Sequence, residues 1–157
     1  MGRTIEGRAA GGGRRFALVV SRFNDFITSR LQRSARQELA MQGVADENVD
    51  EIVVPGAFEI PLAARAAAES GRYAAVICLG AVIRGETAHF DFVAGECARG
   101  IARVALDTGV PAIFGVLTTD TPQQALARSG GEGGDKGRDA ARAALEMADL
   151  LDALRRA

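Results

Sequence analysis

The sequence is poor in several residue types on which specialised proteins depend. It has 157 residues, one histidine and two cysteines, so neither a disulfide framework nor a zinc site is expected. The 19 basic and 20 acidic residues give a net charge of −1, which argues against nucleic-acid and anionic-membrane partners. No apolar run is long enough to span a bilayer, and the N-terminus lacks the apolar segment of an export signal. These absences predict a cytoplasmic protein without a metal site.

The composition is that of an ordinary globular protein. Apolar residues make up 48% of the chain and charged residues 25%, and the length suits one domain with a real core. We predict a single domain over residues 14–157, preceded by a flexible, glycine-rich arm over residues 1–13. Within this arm, the string IEGR at residues 5–8 matches a protease site common in engineered fusions. The sequence leaves open whether that string is native.

Strand and helix patterns alternate from residue 15 onward. Continuous apolar segments predict four buried strands, at about residues 16–20, 52–54, 74–79 and 112–117. Apolar residues at helical spacing predict a helix after each strand, and a glycine-rich loop at residues 129–137 leads to a last helix over about 138–155. Strands that are apolar throughout are typical of a parallel sheet covered by helices on both faces. The expected fold is a three-layer α/β/α sandwich of the flavodoxin-like type, with a four- to five-stranded parallel sheet. Cys78 and Cys97 lie inside the apolar patterns and are expected to be reduced core residues.

The residues that do not look structural follow the predicted strands. They fall into four groups, at residues 21–24, 55–59, 84–89 and 118–120. In open parallel sheets, ligands bind outside the carboxyl ends of the strands. The four groups therefore predict one ligand site at that rim.

His89 is the candidate for proton transfer, because histidine titrates near neutral pH. Gly85, Glu86 and Thr87 precede a predicted helix, where free N–H groups and the helix dipole favour an anion such as phosphate. The plainer alternatives are a glycine turn with Thr87 as a helix cap, and a histidine that only packs.

Four further side chains are ambiguous from their pattern alone. Phe23 can stack on a flat heterocycle or pack on the following helix. Glu59, in an apolar segment, can accept hydrogen bonds from polyol hydroxyls, or it can be a first-turn acid that the helix dipole stabilises. Arg128 and Lys136 flank the glycine-rich loop and can bind a ligand or simply be solvated. From the residues alone, the expectation is an α/β enzyme that acts on a small phosphorylated substrate.

Several segments together resemble the lumazine synthase family. They are SRFNDFITSRL at residues 21–31, VPGAFEIPLAA at 54–64, LGAVIRGETAHFDFV at 79–93 and GVPAIFGVLTTDTPQQALAR at 109–128. With the final GDKG-to-helix segment, the resemblance covers about residues 15–155. It implies the penultimate step of riboflavin synthesis, in which 5-amino-6-(D-ribitylamino)uracil condenses with 3,4-dihydroxy-2-butanone 4-phosphate. The products are 6,7-dimethyl-8-ribityllumazine, phosphate and water, and the family uses no metal or organic cofactor.

The resemblance also implies roles for individual residues. Phe23 would stack on the pyrimidine, Glu59 would accept ribityl hydroxyls, and His89 would transfer protons. The remaining pyrimidine and ribityl contacts implied for the same subunit are Ala57, Phe58, Val82 and Ile83. Gly85, Glu86 and Thr87 would hold the phosphate at the start of the helix. A neighbouring subunit would supply Phe114 to the pyrimidine pocket and Arg128 to the phosphate, with Lys136 nearby.

The family forms pentamers, and some members assemble twelve of them into an icosahedral shell. The short loop at residues 130–137 resembles the shell-forming type, although Glu132 and Asp135 depart from the usual lysine and asparagine. Three other readings stay open at this point: a related riboflavin synthase, a catalytically silent flavin- or lumazine-binding module, and a mainly structural shell protein. The intact segments around Glu59 and His89 argue against the first, and the presence of both His89 and Arg128 argues against the second; the third would predict assembly without turnover.

Overall fold

Four parallel strands form the centre of the molecule. The computed structural model describes residues 2–157, so Met1 of the predicted arm lies outside the described residues. The strands are paired in the order β2-β1-β3-β4. Their bounds are Phe16–Ser21 for β1, Val49–Val54 for β2, Ala75–Ile83 for β3 and Ala112–Thr119 for β4.

Helices cover both faces of this sheet. Their bounds are Asp25–Met41 for α1, Ile60–Glu69 for α2, His89–Thr108 for α3, Pro122–Arg128 for α4 and Lys136–Arg156 for α5. Strand β1 is buried on both sides: Phe16 and Leu18 belong to the core under α1 and α5, whereas Ala17 and Val19 belong to the core under α2 and α3. The predicted flavodoxin-like α/β/α sandwich is therefore confirmed, with four strands in the sheet.

The boundaries differ from the predictions where hydrogen bonding extends beyond the apolar run. Strand β3 continues four residues past Leu79, because residues as far as Ile83 pair with β4. The segment predicted as a glycine-rich loop contains a short antiparallel hairpin, β5 Ser129–Gly131 and β6 Gly134–Asp135. Gly134, at a φ of 109°, supplies the left-handed backbone of its turn. Helix α5 begins at Lys136, two residues earlier than predicted, because Asp135 accepts a hydrogen bond from the Arg138 N–H at 3.1 Å.

The segment before β1 lies along helix α5. The Arg8 N–H donates to Asp149 Oδ2 at 2.8 Å, and the Gly11 N–H donates to the Gln42 carbonyl at 2.8 Å. The Arg14 guanidinium pairs with Asp149 and Asp152, both at 2.9 Å. The flexibility of residues 1–13 stays a prediction. A flexible arm would have to release these contacts.

Both cysteines are buried and free, as predicted. Burial raises the pKa of the Cys97 thiol to about 11 and raises that of Cys78 as well. Both thiols are therefore protonated core groups near neutral pH. Within residues 2–157, no helix is both long and apolar enough to cross a membrane.

Candidate functional site at the carboxyl ends of the strands

Two adjoining cavities lie at the carboxyl ends of β1, β2 and β3, where three of the four predicted groups meet. Thr118 and Thr119, from the fourth group, line a separate cavity instead. The volumes of the two adjoining cavities are about 170 and 560 Å³, and Phe23, Ala57, His89 and Val93 line both of them. The following predicted site residues line one or both cavities: Phe23, Ala57, Phe58, Glu59, Val82, Ile83, Gly85, Thr87 and His89. Glu86 is exposed beside them and lines neither. Three loops thus contribute to one continuous concave surface.

Phe23 presents an aromatic ring to this surface. It is 71% exposed, although its backbone is held firmly, because its N–H donates to the Pro55 carbonyl at 3.0 Å. The next residue, Asn24, has a left-handed backbone with φ of 65°, and its side-chain amide donates to the Ala81 carbonyl at 2.9 Å. The turn after β1 is therefore tied to both neighbouring strands, and it holds the Phe23 backbone while its ring stays exposed.

The loop after β2 makes the apolar wall of the larger cavity. Residues Ala57–Glu59 form one turn of 3-10 helix that leads directly into α2. Ala57 is buried, whereas Phe58 is 58% exposed. The Glu59 carboxylate is exposed at the cavity wall and has no hydrogen-bond or ion-pair partner among residues 2–157. It is free to accept hydrogen bonds from a ligand.

The loop after β3 ends at the start of α3, a helix of 20 residues. Within the described chain, the backbone N–H groups of Gly85, Glu86 and Thr87 have no acceptor. The Thr87 hydroxyl accepts from the His89 N–H at 3.3 Å, although the N-cap position itself is Ala88, which has no side-chain cap. The unpaired N–H groups of residues 85–87 lie just before the positive end of the helix dipole, so the choice between a phosphate site and a simple turn stays a prediction. His89 is the first residue of α3 and faces both cavities.

Phe114, Arg128 and Lys136 do not join this surface. They line a separate cavity of about 310 Å³ beside β4 and the start of α5, together with Asp135 and Asp139. This cavity shares no lining residue with the other two. Within one subunit, the predicted site is thus divided into two parts.

Two residues at the rim were not singled out as site residues from the sequence. Asn24 lines the smaller cavity, and its one visible signal is that asparagine tolerates a left-handed backbone. Arg84 donates from Nε to Asp120 Oδ1 at 2.8 Å, and this hydrogen bond is the main factor that raises the pKa of its guanidinium. The sequence around Arg84 does not indicate that its partner is Asp120, because the two residues are 36 positions apart.

These features define a flavodoxin-like α/β protein with a small-molecule site at the carboxyl ends of its strands. Residues 13–152 match the family model described as 6,7-dimethyl-8-ribityllumazine synthase. A protein of Desulfatibacillum aliphaticivorans named 6,7-dimethyl-8-ribityllumazine synthase is 53% identical over 152 residues, which cover 97% of this chain and 98% of the relative. The chain belongs to the 6,7-dimethyl-8-ribityllumazine synthase family. The predicted family and enzyme class are therefore confirmed, as is the condensation reaction of riboflavin synthesis that they entail.

Proposed function

We propose that the condensation takes place in a composite site, with the pyrimidine and His89 held by one subunit and the phosphate shared with the next. The observation that supports this most directly is the division of the site. Phe23, Glu59 and His89 share one surface, whereas Arg128 and Lys136 line a cavity that does not meet it. Arg128 and Lys136 would therefore reach His89 only from another copy of the chain.

The pyrimidine is assigned to the surface around Phe23. An exposed ring on a held backbone favours stacking on a flat heterocycle, and Phe58 and Ala57 supply apolar contacts beside it. Val82 and Ile83 end β3 at this rim, where their backbone groups can bind the ring edge. The unpaired Glu59 carboxylate suits the ribityl hydroxyls.

The phosphate is assigned to the turn at residues 85–87. Unpaired N–H groups at the start of a 20-residue helix provide donors and a favourable dipole for an anion. A neighbour's Arg128 can form a bidentate pair with the phosphate, with Lys136 close by. This arrangement also stabilises the phosphate as it departs.

His89 is assigned the proton transfers. The amine of the uracil attacks the ketone and water leaves to give an imine, phosphate is eliminated, and the resulting enol tautomerises. The second amine then attacks the remaining carbonyl and closes the ring with loss of a second water. Each of these steps moves a proton, and His89 lies where the two substrate regions meet. Holding two reactive molecules together supplies much of the remaining acceleration.

The assembly is proposed to be a pentamer, with twelve pentamers forming an icosahedral shell in the cytoplasm. Large apolar side chains on α2 and α3 are exposed in the isolated chain, among them Leu62, Phe92 and Leu106. Such surfaces are typical of interfaces between subunits. The short hairpin β5–β6 supports the shell form, and sedimentation showing only pentamers across buffers would contradict it.

Mixing two inactive variants tests the composite site. His89→Ala and Arg128→Ala, each purified, should both be slow when lumazine formation is followed by fluorescence above the uncatalysed rate. The two variants are then dissociated and reassembled in equal amounts. Half of the sites will have His89, from an Arg128→Ala subunit, and half of those sites will have a neighbour that supplies Arg128. About a quarter of wild-type activity should return.

The control for this experiment reassembles each variant alone, which should recover nothing. If a site were contained in one subunit, no mixed oligomer would contain an intact site, and activity would not return. A correctly assembled wild-type protein that does not exceed the uncatalysed rate would contradict the catalytic function itself.

A further inference from the structure

Arg84, which follows β3, contacts the end of β4, the loop residue Asp120 and the first turn of α3 at the rim of the site. Its N–H donates to the Thr119 carbonyl at the end of β4 at 2.8 Å. Its Nε donates to Asp120 at 2.8 Å, and an Nη lies 3.6 Å from Asp91 in the first turn of α3. The guanidinium also lies over the Phe90 ring, 4.4 Å from its centre. The Arg84 side chain, at the start of the turn at residues 85–87, thus contacts Phe90 and Asp91 after the turn and Asp120 after β4.

The far end of this connection is itself fixed. The Asp120 N–H donates at 2.8 Å to the Gln124 side-chain oxygen, which also accepts from the Thr121 N–H in the capping box that begins α4. Arg84 therefore ties the start of α3 to a capped helix terminus rather than to a free loop. The turn between Arg84 and Asp91 is exposed and has few hydrogen bonds of its own. The contacts of the Arg84 side chain are therefore the main ones that hold it in place.

The charges around Arg84 argue against direct phosphate binding. Both carboxylates that it contacts would repel a phosphate placed beside the guanidinium. Its planar face is occupied by Phe90. The group is already paired, whereas the N–H groups of the adjacent turn are not.

We propose that Arg84 is a positioning residue that holds the turn at residues 85–87 and His89 in the geometry needed for the phosphorylated substrate, without touching the phosphate. This inference rests on the proposed roles of that turn and of His89. A displacement of about 1 Å in such a turn is enough to weaken binding and slow the reaction substantially. Because ion pairs this exposed contribute little to overall stability, the loss should appear in the site rather than in the melting temperature.

The test compares Arg84→Ala with wild-type enzyme and uses inorganic phosphate as a competitive inhibitor. We expect the inhibition constant for phosphate and the KM for the butanone phosphate to rise about tenfold, while the KM for the uracil changes by less than about twofold. Arg84→Lys keeps the charge but cannot form both pairs and stack in the same way, so it should be intermediate. A merely structural role would lower the melting temperature and raise both KM values together.

Arg65→Ala is the matched control. The Arg65 side chain is 45% exposed and has two acidic partners, Glu69 at 3.3 Å and Asp107 at 3.5 Å, while that of Arg84 is 47% exposed. Arg65 lines neither of the two cavities at the site. Its removal should leave the inhibition constant for phosphate unchanged.

Asp120→Asn separates positioning from direct binding. If Arg84 acts by holding the turn, loosening its partner should weaken phosphate binding in the same direction as Arg84→Ala. If Arg84 binds phosphate directly, removing a competing carboxylate should tighten phosphate binding, and our inference would be wrong. An unchanged inhibition constant in Arg84→Ala would also overturn it.

Arg128→Ala, measured alongside, distinguishes this failure from failure of the proposed site. A rise in the phosphate inhibition constant for Arg128→Ala without one for Arg84→Ala would refute the positioning role and leave the composite site intact. No rise in either variant would refute both.

Discussion

Helices α3 and α5 are almost equal in length, at 20 and 21 residues, but the fold uses them differently. Helix α5 buries six residues, most of them alanines packed closely on α1 and the sheet. Helix α3 buries three, Cys97, Ile101 and Val104, and leaves Phe92 and Leu106 exposed. Helix α5 therefore completes the core of one chain. Helix α3 carries His89 at its exposed start, and its packing is left incomplete within one subunit.

Replacement of His89 should have the largest effect of any change on α3. The His89→Ala variant should lower kcat by about 100-fold or more, because a general acid–base group is lost. The melting temperature should not change, since the His89 side chain is exposed and makes no hydrogen bond within the described residues. Steady-state kinetics and thermal unfolding measure the two. Arg99→Ala, further along the same helix, serves as the control, and equal kcat values for the two variants would remove His89 from the mechanism.

Replacing a glycine by alanine should change the free energy of unfolding in opposite directions on α5 and on α3. A Cβ on Gly137 would collide with the Leu31 carbonyl of α1, so Gly137→Ala should lower the free energy of unfolding by about 2–3 kcal/mol. A Cβ on Gly95 of α3 would meet only the flexible end of Arg99, at 3.1 Å. Gly95→Ala should therefore raise the free energy of unfolding by about 0.5–1 kcal/mol. Urea unfolding measures both, and equal effects would mean that α3 and α5 pack alike.

Removing an ion pair should also cost more stability at α5 than at α3, but the difference should be smaller than for the glycine substitutions. Glu38 is 2% exposed and pairs with Arg142 at 2.8 Å and Arg138 at 3.4 Å, which joins α1 to α5. Glu38→Gln should cost about 1–2 kcal/mol, since it weakens charge-assisted hydrogen bonds at a buried acceptor. Glu96→Gln removes the exposed pair of Glu96 with Arg99 on α3 and should cost less than about 0.5 kcal/mol. A larger loss at position 96 in chemical unfolding would contradict this ordering.

The smallest effect is expected where α5 holds the N-terminal segment. Hydrogen bonds from the Arg8 N–H and then from Arg14 lower the pKa of Asp149. A carboxyl group with a lowered folded-state pKa contributes stability above its unfolded-state pKa, and the contribution is lost as the pH falls through the folded-state value. Attachment of this segment should therefore hold at neutral pH and weaken in acid below the ordinary aspartate range.

Asp149→Asn should release the segment at neutral pH without changing the melting temperature measurably. Cleavage by a protease specific for IEGR, residues 5–8, reports the release, with Asp152→Asn as the partial control. Fast cleavage of the wild-type protein would instead support an arm that is flexible in any case.

The periodicity of the sequence predicted the layers correctly because burial acts on every residue of an element. Residues 16–20 are apolar without alternation, and β1 is indeed buried on both faces. The ends of elements were harder to predict. Gly80 and Ala81 gave no sign that β3 continues, because their inclusion depends on pairing with β4, which lies elsewhere in the chain.

The site could be predicted in part for a similar reason. Phe23, Glu59 and His89 follow strands, and the carboxyl ends of parallel strands must meet at one rim, so their proximity follows from topology. The contacts of Asn24 with Ala81 and of Arg84 with Asp120 join residues 57 and 36 positions apart. No local pattern encodes such pairs.

The sequence by itself determined the α/β alternation, the buried faces of the helices and the set of chemically capable residues at the rim, since these follow from local periodicity and from motifs. Only the tertiary structure decided that Glu59 and the N–H groups of the turn before α3 have no partner among residues 2–157, and that Arg128 and Lys136 lie in a cavity apart from His89. These properties depend on which elements come within hydrogen-bond distance after folding. That distance is set by packing across the whole chain rather than by neighbours in sequence.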